Sequence, residues 1–359
     1  MSFINTSVKD TTIEDNFTST GLKFWKHEDA MNAYKNKTGM SIICTHVSPE
    51  SACNLNCPYC SVNKRSQKHR LPMDVIQDYI NKLITRGLRA VIITGGGEPT
   101  LYPQINELIC WIKYTQGLSV ALITNGTLMD RLSTESLRAL SWVRVSVNTI
   151  ADWENRIQIP ICNLSEDCIV GCSYIYDYHQ LKERSIDETR KLFKKIAKVS
   201  DRINGRYVRI LPDCLLNEDD FKRAHLNISK ILDDIDDIRF FHQNKWHSRP
   251  NADVCHQSYF RPYLSEIPWD DDTPGTVFPC DSVVLNENEQ QFLIKYRVCK
   301  PEDILSFIDH KMSFPFNART ECGKCVFTKT VDMLDDWYND KITKPSNIND
   351  IKLKHEEFI

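Results

Sequence analysis

Fourteen cysteines in 359 residues are the chemical peculiarity of this chain. The segment SACNLNCPYCSV places Cys53, Cys57 and Cys60 in a CxxxCxxC array. Three thiolates so close in sequence can wrap one compact centre, but they leave a fourth coordination position open. A structural zinc site wants four closed ligands, so the triplet fits it poorly. A [4Fe–4S] cluster normally takes four cysteines, and three would leave one iron free for another ligand. Farther on lie Cys255, Cys280, Cys322 and Cys325, the last pair as CGKC. Four thiolates from a short, irregular segment suit a closed site, and zinc and [4Fe–4S] both satisfy the count.

The composition says what must position these groups. At 41% hydrophobic and 26% charged, with a net charge of −3, the chain is an ordinary globular protein able to bury a sizeable core. No global basic field exists to hold nucleic acid, so such a partner is not favoured, although a local patch stays open. No apolar run is long enough for a membrane span, and the N-terminus lacks a basic and apolar signal pattern. A cytoplasmic, reducing location is expected, and there clustered cysteines read as ligands or redox groups rather than disulfides.

From Met40 short apolar runs alternate with amphipathic stretches. MSIICTHV, AVIITGGG, SVALITNG, VRVSVNT, CIVGCSYIY and YVRILPD read as strands, and IRFFHQN as one further strand. DVIQDYINKLITRG, INELICWIKYTQG, STESLRAL (with Ser133 as N-cap) and IDETRKLFKKIAKVS read as helices. Continuous apolar strands alternating with helices predict a parallel α/β layout, with chemistry at the C-terminal strand ends. Residues 1–40 read as an N-terminal extension, 41–249 as the α/β core, 250–335 as a small irregular domain, and 336–359 as a charged, loosely packed C-terminal tail.

The CxxxCxxC array, on the loop after the first strand, resembles the radical S-adenosylmethionine (SAM) enzymes. Tyr59 matches the family's aromatic position beside the last cysteine. Gly96, Gly97 and Glu98 in ITGGGEP match its GGE motif, where glycines admit close backbone approach and a carboxylate or carbonyl accepts hydrogen bonds from the SAM ammonium. Ser146 and Asn148, at the end of the fourth strand, match positions that contact the SAM ribose or carboxylate. The resemblance covers roughly residues 41 to 245. It implies a partial (β/α)6 TIM-type barrel, a [4Fe–4S] cluster on Cys53, Cys57 and Cys60, and SAM on the open iron. It further implies reductive cleavage of SAM to a 5′-deoxyadenosyl radical that abstracts hydrogen from a substrate C–H bond, with the electron coming from a flavodoxin- or ferredoxin-type donor.

Residues 250–335 resemble the auxiliary-cluster domains of that family, the SPASM and shorter twitch types. GTVFPC, ending at Cys280, resembles their hairpin, and the CGKC pair their closing ligands. A single auxiliary [4Fe–4S] cluster on Cys255, Cys280, Cys322 and Cys325 is the implied content, with zinc as the alternative and Cys299 able to replace one ligand. Cys44 and Cys110 read as core residues. Cys162, Cys168 and Cys172 form a trio whose readings are a third cluster, buried strand residues, or a free thiol donating hydrogen to a substrate radical.

Strand ends supply the substrate candidates. Tyr174, Tyr176, Tyr178 and His179 follow strand five, and Arg209 and Asp213 flank strand six, with Arg209 and Tyr176 the leading catalytic candidates. An arginine aimed into the chamber can hold a carboxylate or phosphate bidentately. The basic run KRSQKHR, residues 64–70, is either a solvated surface or a contact for a polyanionic substrate or acidic electron donor. The leading expectation is a two-electron oxidation of a small, sugar-like molecule, because a fully ligated auxiliary cluster suits electron disposal. Radical modification of a peptide, or of a nucleotide or nucleic acid, is the alternative.

Overall fold

The computed structural model describes residues 11–148, 153–243, 245–286 and 294–359. In chain order the described strands are β1 Cys44–Val47, β2 Ala90–Ile93, β3 Ser119–Thr124, β4 Trp142–Ser146, β5 Ile169–Tyr176, β6 Tyr207–Pro212, β7 Phe240–His242, β8 Tyr263–Ser265 and β9 Thr276–Phe278. They fall in two compact units. The first draws on the described parts of Met1–Ala52, Lys64–Gly97 and Trp246–Ile359, the second on Cys53–Asn63 and Glu98–Lys245.

In the first unit β1 pairs in parallel with β2, Cys44 opposite Ala90, and on its other edge with β8, His46 opposite Tyr263. Strand β9 turns back antiparallel on β8. β1 and β2 are buried throughout; β2, AVII, is unbroken apolar sequence, while β1, CTHV, takes the polar Thr45 and His46 inside as well. The helix Met73–Ile84 lays Ile76, Tyr79, Ile80 and Leu83 into the core at helical spacing, and the Tyr79 hydroxyl meets Thr45 Oγ1 at 3.0 Å.

Both chain ends join this unit, which the sequence boundaries did not foresee. Phe24, Tyr34, Phe358 and Ile359 are buried. The Lys23 ammonium, itself buried, donates to the carbonyls of His355 and Phe358 at 3.0 and 3.2 Å. The tail expected to pack loosely is therefore stapled down at its end.

In the second unit β3, β4, β5, β6 and β7 lie side by side in chain order, all parallel. Helices Ile186–Arg202 and Glu218–Leu232 begin at capped turns, the first with a full capping box between Ser185 and Glu188. The expected long helix after β2 divides into Ile105–Cys110 and a π-helical turn, Trp111–Thr115. Alternation along β5 sorts its side chains. The Tyr174 ring packs on Phe193, and the Cys172 thiol bonds Ser200, both partners on Ile186–Arg202. Ser173 lies on the opposite face.

All six expected strands form, and IRFFHQN supplies β7. The sequence reading missed β8, and it noted β9 only as the GTVFPC segment that resembles a hairpin; each is of three residues. Within the units every strand pairing is parallel except the β8–β9 hairpin, and the sheet does not close. The architecture is thus a mostly parallel α/β partial barrel. No helix among the described residues is long and apolar enough to cross a membrane.

Candidate active site and thiol centre

The second unit holds the three-cysteine loop. It turns tightly, the Cys60 N–H donating to the Cys57 carbonyl at 3.1 Å and the Asn63 N–H to the Cys60 carbonyl at 3.0 Å. Cys53, Cys57 and Cys60 are half-buried. The Leu55 N–H reaches Cys53 Sγ at 3.5 Å, a donor that favours the thiolate. Asn54, between the first two cysteines, anchors the loop to the turn after β3. Its Nδ2 donates to Thr127 Oγ1, and its Oδ1 accepts from Asn125 Nδ2, both at 2.8 Å.

Tyr59 is buried beside the last cysteine, its hydroxyl next to the Cys57 thiol and the Asn148 side chain. Burial, then Cys57, holds that hydroxyl well above the ordinary phenol range. Neither Tyr59 Oη nor Asn148 Nδ2 makes a well-formed hydrogen bond. Two adjacent buried groups with unspent bonding capacity are what a polar ligand such as SAM would meet. Two of the sequence-predicted SAM contacts are therefore neighbours.

Glu98 is more deeply engaged than expected. Oε1 accepts from the Thr100 N–H at 3.0 Å and from the hydroxyls of Thr100 and Thr124, each at 2.7 Å. Oε2 accepts from the Asn125 N–H at 2.8 Å. The carboxylate is 2% exposed. It caps the short helical turn Pro99–Leu101 and braces the end of β3, so an ammonium contact would have to share it with four donors.

In the first unit Gly96 and Gly97 are glycines for steric reasons on the protein's own side. A Cβ at Gly97 would lie 2.1 Å from the Ala52 carbonyl oxygen, just before Cys53 in sequence, and one at Gly96 2.1 Å from Glu266 Oε1. The Gly97 N–H donates to the Glu50 carbonyl at 3.0 Å, and the Gly96 N–H to Ser48 Oγ at 2.7 Å. Glu266, just past β8, is buried among Ser48, Ser265 and Tyr263. Burial raises its carboxyl pKa, against hydrogen bonds from the serines. Sequence reading missed Glu266, because the run preceding it is too short to read as a strand.

The basic run is not simply a solvated face. Arg65 Nε donates to the Ser51 carbonyl at 2.9 Å, the His69 N–H to Ser51 Oγ at 2.9 Å, and Arg70 Nε to Glu50 Oε2 at 2.6 Å. It ties down the segment that precedes Cys53.

At the strand ends of the second unit, Ser146, Ser173 and Arg209 are register partners across β4, β5 and β6. Arg209 Nη2 donates to Ser173 Oγ at 3.0 Å. Arg209 and Ser146 thus share the sheet face that Ile186–Arg202 does not cover. Tyr176 does not join them. It shares strand parity with Cys172 and Tyr174, is 2% exposed, and bonds Asn227 on Glu218–Leu232, so β-strand alternation puts it under the helices. Cys172 is buried the same way, beside Ser200 on the helix-covered side of the sheet and away from the face of Ser146 and Arg209, and burial pushes its thiol up to about 12. Cys162 is exposed. Asp213, near Asp177 and His179, is raised to about 6, first by burial and then by the Asp177 charge.

The second thiol group lies in the first unit. Cys255 packs with Ala252, Ala318, Phe327 and Val331, and Cys280, Cys322 and Cys325 pack against that cluster. All four are free. Cys255, Cys280 and Cys322 are each pushed far up, chiefly by burial and further by the charges of the other members. Cys299 stands apart. It bridges to Val277 on β9, and its charge interactions run to Asp303 and Tyr79. As they stand, no group of three or more His, Cys, Asp or Glu among the described residues is arranged to hold a metal ion. The donor set nevertheless fits a thiolate centre in type and number, since Cys255 lies in the apolar cluster against which Cys280, Cys322 and Cys325 all pack.

Residues 47–161 match the model of the Radical SAM superfamily, a span that contains Cys53, Cys57, Cys60 and the Gly96–Glu98 string. The chain is 35% identical over 115 residues to a GTP 3',8-cyclase of Chlorobaculum tepidum, covering 31% of this chain and 34% of that protein. It is 32% identical over 171 residues to a UPF0026 protein of Helicobacter pylori strain J99, covering 42% of this chain and 55% of that one. The chain thus spans about a third to about half the length of these curated relatives. In fold it is similar to native anSMEcpe with bound AdoMet, at a TM-score of 0.50 and 13% identity, over 86% of this chain and 100% of that one. Radical SAM membership is supported by the family model, and the fold by that likeness. The cofactors that the family match implies are a [4Fe–4S] cluster and SAM.

Proposed function

We propose that the chain is a radical SAM enzyme in which Cys53, Cys57 and Cys60 carry the SAM-binding [4Fe–4S] cluster. When bound, that cluster supplies the electron that cleaves SAM to methionine and the 5′-deoxyadenosyl radical, which removes hydrogen from substrate. The observation that carries the reading is the Tyr59–Asn148 pair, buried beside Cys57 with bonding capacity to spare. Tyr59 and Asn148 would bind the nucleoside part of SAM. The backbone of Gly96 and Gly97 would receive its methionine part, with Glu98 holding that loop to shape. Ser146 lies in the row that leads to Arg209, the residue that would hold an anionic or hydroxyl group of the substrate.

Cys255, Cys280, Cys322 and Cys325 would hold an auxiliary centre of twitch type, [4Fe–4S] in preference to zinc. A centre closed by four thiolates would leave no iron for substrate, so its roles would be to take an electron or to hold the small surrounding core. A two-electron oxidation of a small, sugar-like alcohol suits that arrangement. A nucleotide substrate is the second reading, favoured by the relatives named GTP 3',8-cyclase, whose likeness covers about a third of this chain. A flavodoxin- or ferredoxin-type protein would deliver the first electron.

Anaerobic reconstitution tests the assignment. About eight irons and eight sulfides per chain are expected, falling by half when Cys53, Cys57 and Cys60 are replaced by Ala. Reduced protein with SAM should release 5′-deoxyadenosine, and the triple variant none. Iron near four with one zinc would place zinc at the auxiliary centre. Wild-type protein that releases no 5′-deoxyadenosine would end the enzyme reading. Mass spectrometry with candidate sugars, nucleotides and peptides then selects the substrate class.

A further inference from the structure

Arg261, between Phe260 and Pro262 and just before β8, is a cation in a place that charges avoid. It is 3% exposed. Its Nη1 donates to the Ile359 main-chain oxygen at 2.9 Å, and the guanidinium lies 4.6 Å from the centre of the Phe327 ring. Nη2 makes no hydrogen bond and is ion-paired at 4.0 Å with Asp281 Oδ1, a group partly open to solvent. A guanidinium carries five N–H donors, and one carbonyl with one aromatic face is poor compensation for its desolvation.

The ring that carries the guanidinium leads to the thiols. Phe327, under the guanidinium, belongs to the apolar cluster that contains Cys255 and against which Cys280, Cys322 and Cys325 pack. The guanidinium acts electrostatically on Cys255 and Cys280, and on Cys44 in β1. Four thiolates around a dication or a dicationic iron–sulfur core leave about two net negative charges. In a buried setting that charge needs a counter-charge and donors to sulfur, and outer-shell groups of this kind set both affinity and potential.

We propose that Arg261 is the built-in charge partner of the four-cysteine centre, its Nη2, which makes no hydrogen bond, being available to the charge that the thiolates acquire on loading. This rests on the reading of Cys255, Cys280, Cys322 and Cys325 as a metal centre and adds a residue that sets its affinity and reduction potential. Arg261 is a positioning residue in that role and touches no reacting atom.

The test uses the full chain carrying Cys53→Ala, Cys57→Ala and Cys60→Ala, so that only the auxiliary centre loads. Arg261→Met should weaken metal retention against a chelator by about 10- to 100-fold. If the centre is iron–sulfur, its midpoint potential, followed by EPR, should shift to more negative values. Arg261→Lys should restore most of both. Because Arg261 also anchors Ile359, the melting temperature of Arg261→Met is compared in the loaded protein and in a Cys322→Ala, Cys325→Ala background. A larger loss in the loaded protein supports the proposal. Equal losses, or unchanged retention and potential in folded Arg261→Met, overturn it and leave Arg261 a packing residue. A parent protein that retains no metal overturns the metal reading as well, and differs from the other failure because Arg261 is then still intact.

Discussion

The Glu98 carboxylate accepts the backbone N–H of Asn125 at 2.8 Å, which joins the acidic residue of the GGE string to the Asn-Gly turn after β3. The other carboxylate oxygen takes three more donors from Thr100 and Thr124. Glu98 is therefore a structural brace whatever else it touches. Charged hydrogen bonds are each worth roughly 1.5–3 kcal/mol, so Glu98→Ala should lose at least about 3 kcal/mol in denaturant unfolding. Glu98→Gln should not recover it, because its amide N–H groups would face donors. A Glu98→Ala protein as stable as wild type, with only SAM affinity reduced, would return Glu98 to the simple ligand role.

Gly97 and Gly96 give a paired prediction. The Gly97→Ala methyl meets main chain at Ala52, which cannot rotate away, and should cost about 3 kcal/mol or more. The Gly96→Ala methyl meets the end of the Glu266 side chain, a milder conflict of about 1–3 kcal/mol. Glu266→Ala should relieve Gly96→Ala and leave Gly97→Ala unrelieved. Additive losses in the Gly96→Ala, Glu266→Ala protein would refute that contact.

These contacts show where sequence reading succeeds and where it stops. The strands β1 to β7 were legible because each is a continuous apolar run bounded by turn residues. The cysteine loop and the GGE string were legible because thiols at short spacing and glycine runs after a strand have few other uses. β8 and Glu266 were not, since three residues of strand carry no period. Tyr176 was misplaced for a different reason: strand alternation is plain in β5, but the covered face is decided by Ile186–Arg202 and Glu218–Leu232. The buried chain ends escaped notice because a few apolar residues, Phe24, Phe358 and Ile359 among them, do that packing without a pattern.

Asp213 predicts a pH signature. Its carboxyl is raised from the ordinary 3.8 to about 6 by burial and by Asp177. Below about 4 it is protonated folded and unfolded alike and has no effect. As the pH rises through 6 the folded state has to ionise a buried acid, so stability is lost, by at most about 3 kcal/mol. Asp213→Asn keeps an oxygen for the Leu215 N–H, which Asp213 Oδ1 accepts at 2.8 Å. The variant should be about 1–3 kcal/mol more stable than wild type at pH 8 and equal to it at pH 3.5, by denaturant midpoints. A gap of the same size at both pH values would exclude the titration as its source.

Cys299 should be dispensable for metal. It is 1% exposed and bridges to Val277 on β9, and it is not among the cysteines of the apolar cluster that Cys255 shares with Cys280, Cys322 and Cys325. Cys299→Ala should cost about 1 kcal/mol as a small cavity and leave iron and zinc content unchanged. Cys280→Ala should empty the auxiliary centre. Metal loss in a folded Cys299→Ala protein would bring Cys299 back as a ligand.

The remaining prediction separates an electron-accepting auxiliary centre from a purely structural one. The described residues of 250–335 contribute only short strands and helical turns until Thr328–Tyr338, and Cys255 belongs to their apolar cluster while Cys280, Cys322 and Cys325 pack against it. Losing the metal should therefore loosen this segment whatever its redox role, because metal binding there is largely folding free energy. Lost activity in a Cys322→Ala, Cys325→Ala protein decides nothing alone. The decisive measurement is product formed per 5′-deoxyadenosine in the fraction that remains folded. An oxidation leaves a substrate radical with one more electron to lose, and without the auxiliary centre that electron has no outlet inside the protein. Hydrogen abstraction should then continue, measured as 5′-deoxyadenosine carrying substrate deuterium, while oxidised product falls at least about tenfold, a barrier change of about 1.4 kcal/mol. An unchanged ratio in the folded variant would sink the oxidation reading and point to redox-neutral chemistry, with the four thiols serving the fold alone.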